Sequence, residues 1–273
     1  MPDFEKTTQY PGQEHYVNEV DETGLGAVDA VKDESAPSSQ WGKAWRYLRR
    51  RPLFWVAATM IVIAVLLALF PGLFTNTDPR MCELSKSLAP AESGHPFGFN
   101  RQGCDIYARV IYGARASVTV GVLTTILVVI IGALVGAVAG FFGGWIDSVL
   151  SRITDIFFAI PLVLAAIVVM QMFKEHRTII TVVLVLGLFG WVSIARITRG
   201  AVVSIKNEEY VQSARSIGAS NIHILFSHIL PNAAAPIISY ATVALGTYIV
   251  AEATLSFLGI GLPSTFVSWG GDI

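Results

Sequence analysis

Residues 52–74 read PLFWVAATMIVIAVLLALFPGLF and residues 117–140 read SVTVGVLTTILVVIIGALVGAVAG, and neither run holds a charged side chain. A helix needs about 20 predominantly apolar residues to cross about 30 Å of hydrocarbon, and in that slab only helices and closed barrels satisfy their own backbone. Both runs meet that length. Three further candidates follow: 153–173, with Asp155 near its start and Pro161 inside; 178–195; and 233–259, which contains Pro236 and Glu252. The expected fold is therefore all-α and polytopic, with five transmembrane spans and no internal repeat relating them.

Composition supports this. Only 14% of the residues are charged and 53% are hydrophobic, where ordinary soluble domains carry about 25% charged residues. The charges are also uneven. Residues 1–40 hold Asp3, Glu5, Glu14, Glu19, Asp21, Glu22, Asp29, Asp33 and Glu34 against Lys6 and Lys32 alone. That stretch lacks sustained periodicity and enough apolar surface to offset the entropy of ordering, so a disordered acidic tail is expected there. Residues 41–273 then form the transmembrane domain. The net charge of −1 averages the two regions and gives no sign of nucleic-acid binding.

Orientation follows from basic residues near the span ends. Lys43, Arg46, Arg49, Arg50 and Arg51 crowd the first span, which places the amino terminus in the cytoplasm. Alternation puts 75–116 outside as a long loop and 196–232 inside. Arg152, Arg196, Arg199, Lys206 and Arg215 fall on the inner side as well, whereas Lys174 and Arg177 run against the bias. Cys82 and Cys104 both lie in the outer loop, where an oxidising compartment would let a disulfide persist. Closing such a loop stabilises by roughly 3 kcal/mol in the chain-entropy model; the alternative is two unpaired small residues.

Within the second span, Gly132, Gly136 and Gly140 recur at i, i+4 and i+8. Small residues stacked this way let helices approach closely in lipid, so either a tight seam or ordinary packing is expected. Glu252 lies inside an apolar span, where a carboxylate should face a cavity or a partner; a pathway or gate role and a structural hydrogen-bonding role both fit. Asp155 and Arg152 share a helix face and suggest a local ion pair. The histidines show no zinc-ligand spacing, and neither a nucleophile elbow nor a phosphate-binding loop is present. The chain is thus expected to be no enzyme, with energy for any uphill step entering through another polypeptide.

One polar segment stands between the last two apolar runs: EYVQSARSIGASNIHILFSHILPN, residues 209–232. Tyr210, Ala214 and Ile217 share one helical face. Gly218 interrupts, Ser220 or Asn221 can cap a new helix, and Ile222, Leu225, Phe226 and Ile229 form an apolar stripe before Pro231 ends it. Two short helices meeting at a glycine are expected. They could rest on lipid headgroups or on another protein.

This segment resembles the cytoplasmic EAA loop of ABC importer permeases, in the dipeptide and oligopeptide branch. HPFGFNRQGCDIYARVIYGARASVTVG (95–121) and AEATLSFLGIGLPSTFVSWG (251–270) resemble the segments that branch carries before its second span and after its fifth. Together they cover the chain from about residue 41 onward. Some positions differ from the general pattern. Gln212, Ser213 and Ala214 stand where the loop has Glu-Ala-Ala, and His228 replaces an isoleucine. Cys104 stands for an arginine, and Phe99-Asn100 for Thr-Asp.

The resemblance implies a type I importer fold with a sixth span beyond Ile273. It also implies a second permease forming a heterodimer, cytoplasmic ATPase subunits that bind the ATP, and an extracytoplasmic substrate-binding protein. Besides membrane lipid no other partner is implied, and no cofactor in this chain. Glu209, Ala214, Arg215, Ile217, Gly218, Ala219, Ser220 and Pro231 are the residues it assigns to ATPase coupling. Di- or oligopeptides are the implied cargo, with nickel or a metal chelate as the alternative. A membrane scaffold without transport is the competing class.

Overall fold

The computed structural model describes residues 40–272, so the acidic segment expected over 1–40 lies outside the described residues except for Gln40. The chain forms two compact units that divide between Ala58 and Thr59. Nine helices are labelled in order among the described residues. They are α1 (Gln40–Leu48), α2 (Pro52–Leu69), α3 (Ile106–Phe142), α4 (Gly144–Phe158), α5 (Leu162–Met172), α6 (Ile179–Gly190), α7 (Val192–Ile205), α8 (Glu209–Ser216) and α9 (Asn221–Phe257). Three of them, α2, α3 and α9, are long and apolar enough to cross a membrane outright; the bent pairs α4–α5 and α6–α7 bring the number to five if each is one span.

Every expected span differs in detail from its helix, for identifiable reasons. Residues 106–116, expected in the outer loop, already belong to α3. Asp105 starts that helix by accepting a hydrogen bond from the Tyr107 N–H at 3.0 Å, and Tyr107, Arg109, Tyr112 and Arg115 continue its turns as a polar end. The expected span 153–173 is not one helix. It begins at Gly144 and bends by 79° between Phe158 and Leu162. Pro161 has no N–H to donate and its ring would meet the carbonyl one turn earlier, so the helix restarts after it. The expected span 178–195 likewise bends by 46° around Trp191.

The largest correction concerns Pro231. It does not end a short helix: the chain stays helical from Asn221 to Phe257, through Pro231 and Pro236. Residues Ile224–Ile229 form a π turn, and the Leu230 N–H reaches back to the Leu225 carbonyl. A wider turn just before a proline relieves its clash with the preceding carbonyls without breaking the helix.

In the larger unit α3 is central and packs against α4, α6, α7 and α9. Its partnership with α7 depends on the glycine row. A Cβ at Gly132 would lie 2.7 Å from the Trp191 carbonyl oxygen, one at Gly136 2.3 Å from that of Ala195, and one at Gly140 2.9 Å from that of Arg199. The nearest atom at each position is thus a backbone carbonyl oxygen that cannot rotate aside, with Ile194, Thr198 and Val202 packed next to it. From Thr59 onward α2 buries only Ala68, which leaves an apolar surface suited to lipid or another helix.

Candidate functional site

The polar segment folds as a helix, a corner and a helix. Glu209 sits in the first turn of α8 and Arg215 in its last, each complementing the helix dipole. At the carboxyl end the Ala219 N–H bonds the Ala214 carbonyl and the Gly218 N–H bonds the Arg215 carbonyl, both at 3.1 Å. Gly218 has φ +88°. This is a Schellman closure, which needs a left-handed residue at that position. Ser220 then accepts from the His223 N–H at 3.3 Å and caps α9. Of the two capping residues open from the sequence, Ser220 is the one used.

The corner is fixed from below and apolar on top. Val211, Ala214, Ile224, Leu225 and Ile229 are buried in one cluster with Phe141 of α3, Trp191 at the α6–α7 bend, and Val192 and Ile194 of α7. Ile217 is 86% exposed, Ile222 72% and Phe226 58%. Both expected faces are thereby split. Ala214 is buried while Tyr210 and Ile217 are exposed, and Val211 supplies the second buried position on α8. On α9 the π turn shifts the register, so Leu225 and Ile229 go inward and Ile222 and Phe226 outward. Gln212, at the place of the usual glutamate, donates from Nε2 to the Lys206 carbonyl at 3.1 Å. Ala219 is half-buried, whereas Pro231 is exposed beyond the π turn and takes no part in the corner.

Ionic contacts tie α4 to α7. Arg199 Nε and Nη2 donate to both carboxylate oxygens of Asp147 at 2.5 and 2.6 Å, and Ser151 donates to the same carboxylate at 3.2 Å. Asp155 pairs with Arg196 at 2.8 Å, and the Arg196 guanidinium also lies 4.0 Å from the centre of the Phe158 ring. The expected Arg152 partner is 3.9 Å away and its side chain is 86% exposed. Asp155 therefore takes the closer and less exposed cation, from α7. Lys206 closes the same end by donating to the Gly140 carbonyl at 2.7 Å.

At the opposite end of α9, Glu252 is fully buried. Ser117 of α3 and Ser256 of α9 each donate a hydroxyl to its carboxylate at 2.8 Å. Each serine in turn accepts a backbone N–H, Ser117 from Trp269 at 3.2 Å and Ser256 from Leu262 at 3.3 Å. The carboxylate thus pins the segment after α9 across the ends of both helices. Arg177 holds the Gly259 carbonyl at 2.8 Å, Arg80 the Thr265 carbonyl at 3.0 Å, and Arg109 pairs with Asp272. Of the two roles open for Glu252, the contacts are those of a hydrogen-bonding hub. Cys82 and Cys104 are joined by a disulfide, beside a Glu83 N–H to Gly103 carbonyl bond of 3.0 Å.

Several of these residues gave little signal in the sequence. Asp147, Arg196, Arg199, Ser117, Ser256 and Trp269 find their partners on other helices, which local spacing does not reveal. The usable hint for the acids was their cost beside apolar runs.

Comparison with known proteins agrees with the geometry. Residues 129–273 match the family of binding-protein-dependent transport system inner membrane components. Residues 39–90 match the N-terminal transmembrane domain of oligopeptide transport permease C. The chain is 35% identical over 253 residues to the oligopeptide transport system permease protein OppC of Bacillus subtilis, covering 93% of this chain and 82% of that one. It is 33% identical to the dipeptide transport system permease protein DppC of the same organism, covering 89% and 75%. It is 38% identical to the glutathione transport system permease protein GsiD of Salmonella typhimurium, covering 90% and 80%. With its apolar helices, central glycine seam and capped glycine corner, the chain belongs to the binding-protein-dependent transport system inner membrane components, the permeases of ABC importers.

Proposed function

We propose that this chain carries di- or oligopeptides across the membrane as one of two permease subunits, and that its Gly218 corner is the element on which a cytoplasmic ATPase acts. An extracytoplasmic binding protein delivers the cargo, and the amino terminus lies on the ATPase side. The relatives named for oligopeptides, dipeptides and glutathione support peptide cargo over nickel.

The observation that carries the coupling role is the corner's two-sidedness. Exposed Ile217, Ile222 and Phe226 offer an apolar grip, while Val211, Ala214, Ile224, Leu225 and Ile229 join that grip to α3 and α7. A push on the exposed side therefore cannot be absorbed by a loose loop. ATP binding closes the ATPase pair and shifts the corners, and the helices tilt between inward- and outward-facing arrangements.

Ile217→Asp tests this. The side chain is 86% exposed, so the substitution should leave helix content and thermal stability unchanged. In the assembled transporter it should abolish dipeptide uptake and weaken ATPase co-purification at least tenfold. Full uptake with stoichiometric ATPase retained would remove the corner from the mechanism. Uptake assays with dipeptide against nickel decide the cargo.

A further inference from the structure

The unit that ends at Ala58 holds a cluster of arginines at the mouth of the first apolar helix. α1 stops at Leu48 and α2 opens at Pro52, with Arg49, Arg50 and Arg51 between them and Arg46 one turn earlier. All four are exposed. The backbone keeps winding through the junction, with the Arg49 N–H on the Trp45 carbonyl at 3.0 Å and the Arg51 N–H on the Leu48 carbonyl at 3.0 Å. The four side chains therefore fan out around one helix end. From residue 40 to residue 77 the sequence contains no Asp or Glu, so no carboxylate of this stretch neutralises them.

An aromatic group stands beside the arginines. Trp45 and Phe54 meet edge to face at 5.9 Å, and Phe54 and Trp55 at 5.5 Å. The Trp55 indole N–H bonds the Arg49 carbonyl at 3.1 Å, tying the first turn of α2 to the junction. Arg51 hydrogen-bonds the Tyr47 hydroxyl, with its guanidinium 4.7 Å from that ring's centre. Trp45, Tyr47 and Trp55 are all more than half exposed. Rings with an apolar body and a polar tip settle at the headgroup level of a bilayer.

We propose that Arg46, Arg49, Arg50 and Arg51 form a binding site for the phosphate-bearing headgroups of anionic lipids. The guanidinium fork matches phosphate oxygens in pairs. Free phosphate shares that chemistry, but position favours the lipid source. Pro52 leads directly into an apolar helix, so the cluster lies where hydrocarbon meets headgroups and its ligand arrives at high local concentration in the plane.

The test uses the full-length protein in vesicles of zwitterionic phosphatidylcholine, into which brominated phosphatidylglycerol or brominated phosphatidylcholine is titrated. Quenching of Trp45 and Trp55 is isolated by subtracting the signal of a Trp45→Phe/Trp55→Phe protein. Each arginine near an anionic surface is worth roughly fivefold in affinity. The wild type should prefer phosphatidylglycerol by at least tenfold, and the preference should shrink as salt rises. The Arg46→Gln/Arg49→Gln/Arg50→Gln/Arg51→Gln protein should show no preference. Four lysines at the same positions should retain most of it, which separates lost charge from lost folding.

Equal quenching by both lipids in the wild type would overturn the proposal, as would a preference that survives the glutamines. Displacement of phosphatidylglycerol by millimolar inorganic phosphate would overturn the lipid assignment. A preference that appears only after removal of residues 2–39 would mean that the acidic segment occupies the site instead.

Discussion

Replacing Gly136 by alanine adds one methyl group, and the structure states where it would go. The new Cβ would lie 2.3 Å from the Ala195 carbonyl oxygen, 2.8 Å from Thr198 Cβ and 2.9 Å from the Arg199 nitrogen. Two of those atoms are backbone. No rotamer change relieves the contact, so α3 and α7 must separate by about an ångström to restore ordinary spacing. Overpacking of this kind costs about 1–3 kcal/mol, and opening the seam would also loosen Gly132 and Gly140 on either side. Alanine's better helix propensity returns up to about 1 kcal/mol. That leaves about 0–2 kcal/mol of the overpacking cost, and the loosened flanking contacts bring the expected net loss to about 1–2 kcal/mol, a melting point lower by roughly 2–8 °C for a chain of this size.

Gly200 and Gly246 are internal controls, since nothing lies within 4 Å of a Cβ built at either. Alanine there should be neutral or slightly stabilising. The assay is thermal unfolding of purified protein in one detergent at one scan rate. The destabilisation should rank Gly136 above Gly132 and Gly132 above Gly140, following the gaps of 2.3, 2.7 and 2.9 Å. A Gly136→Ala protein that melts with the two controls would refute the reasoning that backbone carbonyls close this seam.

Three other perturbations act at the ends of the bundle. Glu252→Ala should destabilise by about 3–5 kcal/mol, because two buried hydroxyls lose their acceptor and a cavity remains. It should also make residues 258–272 susceptible to protease, whereas Glu252→Gln, which keeps shape and one acceptor, should protect them. Equal protease resistance in all three proteins would show that the carboxylate does not hold that segment. For Asp147 and Arg199, half-exposed but paired through two bonds, a double-mutant cycle should give a coupling of about 1 kcal/mol. Arg152→Ala should leave stability unchanged, and a loss there comparable to Arg196→Ala would restore the local pairing as the relevant one.

The sequence made legible what depends on composition and on single backbone requirements. Five apolar stretches were visible because each holds enough apolar residues to fall within the length that crosses a bilayer, and Gly218 was visible because a polar, capped segment with a central glycine has few other uses. The bends at Pro161 and Trp191 were hidden, since apolar character continues unbroken across both. Pro231 misled for a physical reason. An interior proline kinks or breaks a helix, and at Pro231 the π turn over Ile224–Ile229 takes up the clash, so the helix runs on through it and through Pro236. The same extra width reversed Ile222 and Phe226 relative to the expected stripe. Partners such as Arg196 for Asp155, or the two serines for Glu252, come from helices far away in sequence. No i,i+3 or i,i+4 rule reaches them.

Continuity of α9 gives the molecule one unbroken helix with Ser220 capping one tip and Glu252 fastened near the other. The thirty or so residues between them span about 46 Å at the α-helical rise. A rotation of only about 5° around the midpoint would therefore sweep each tip by about 2 Å in opposite directions. In such a rotation the two tips would move together through one backbone, without any relay of side chains in between.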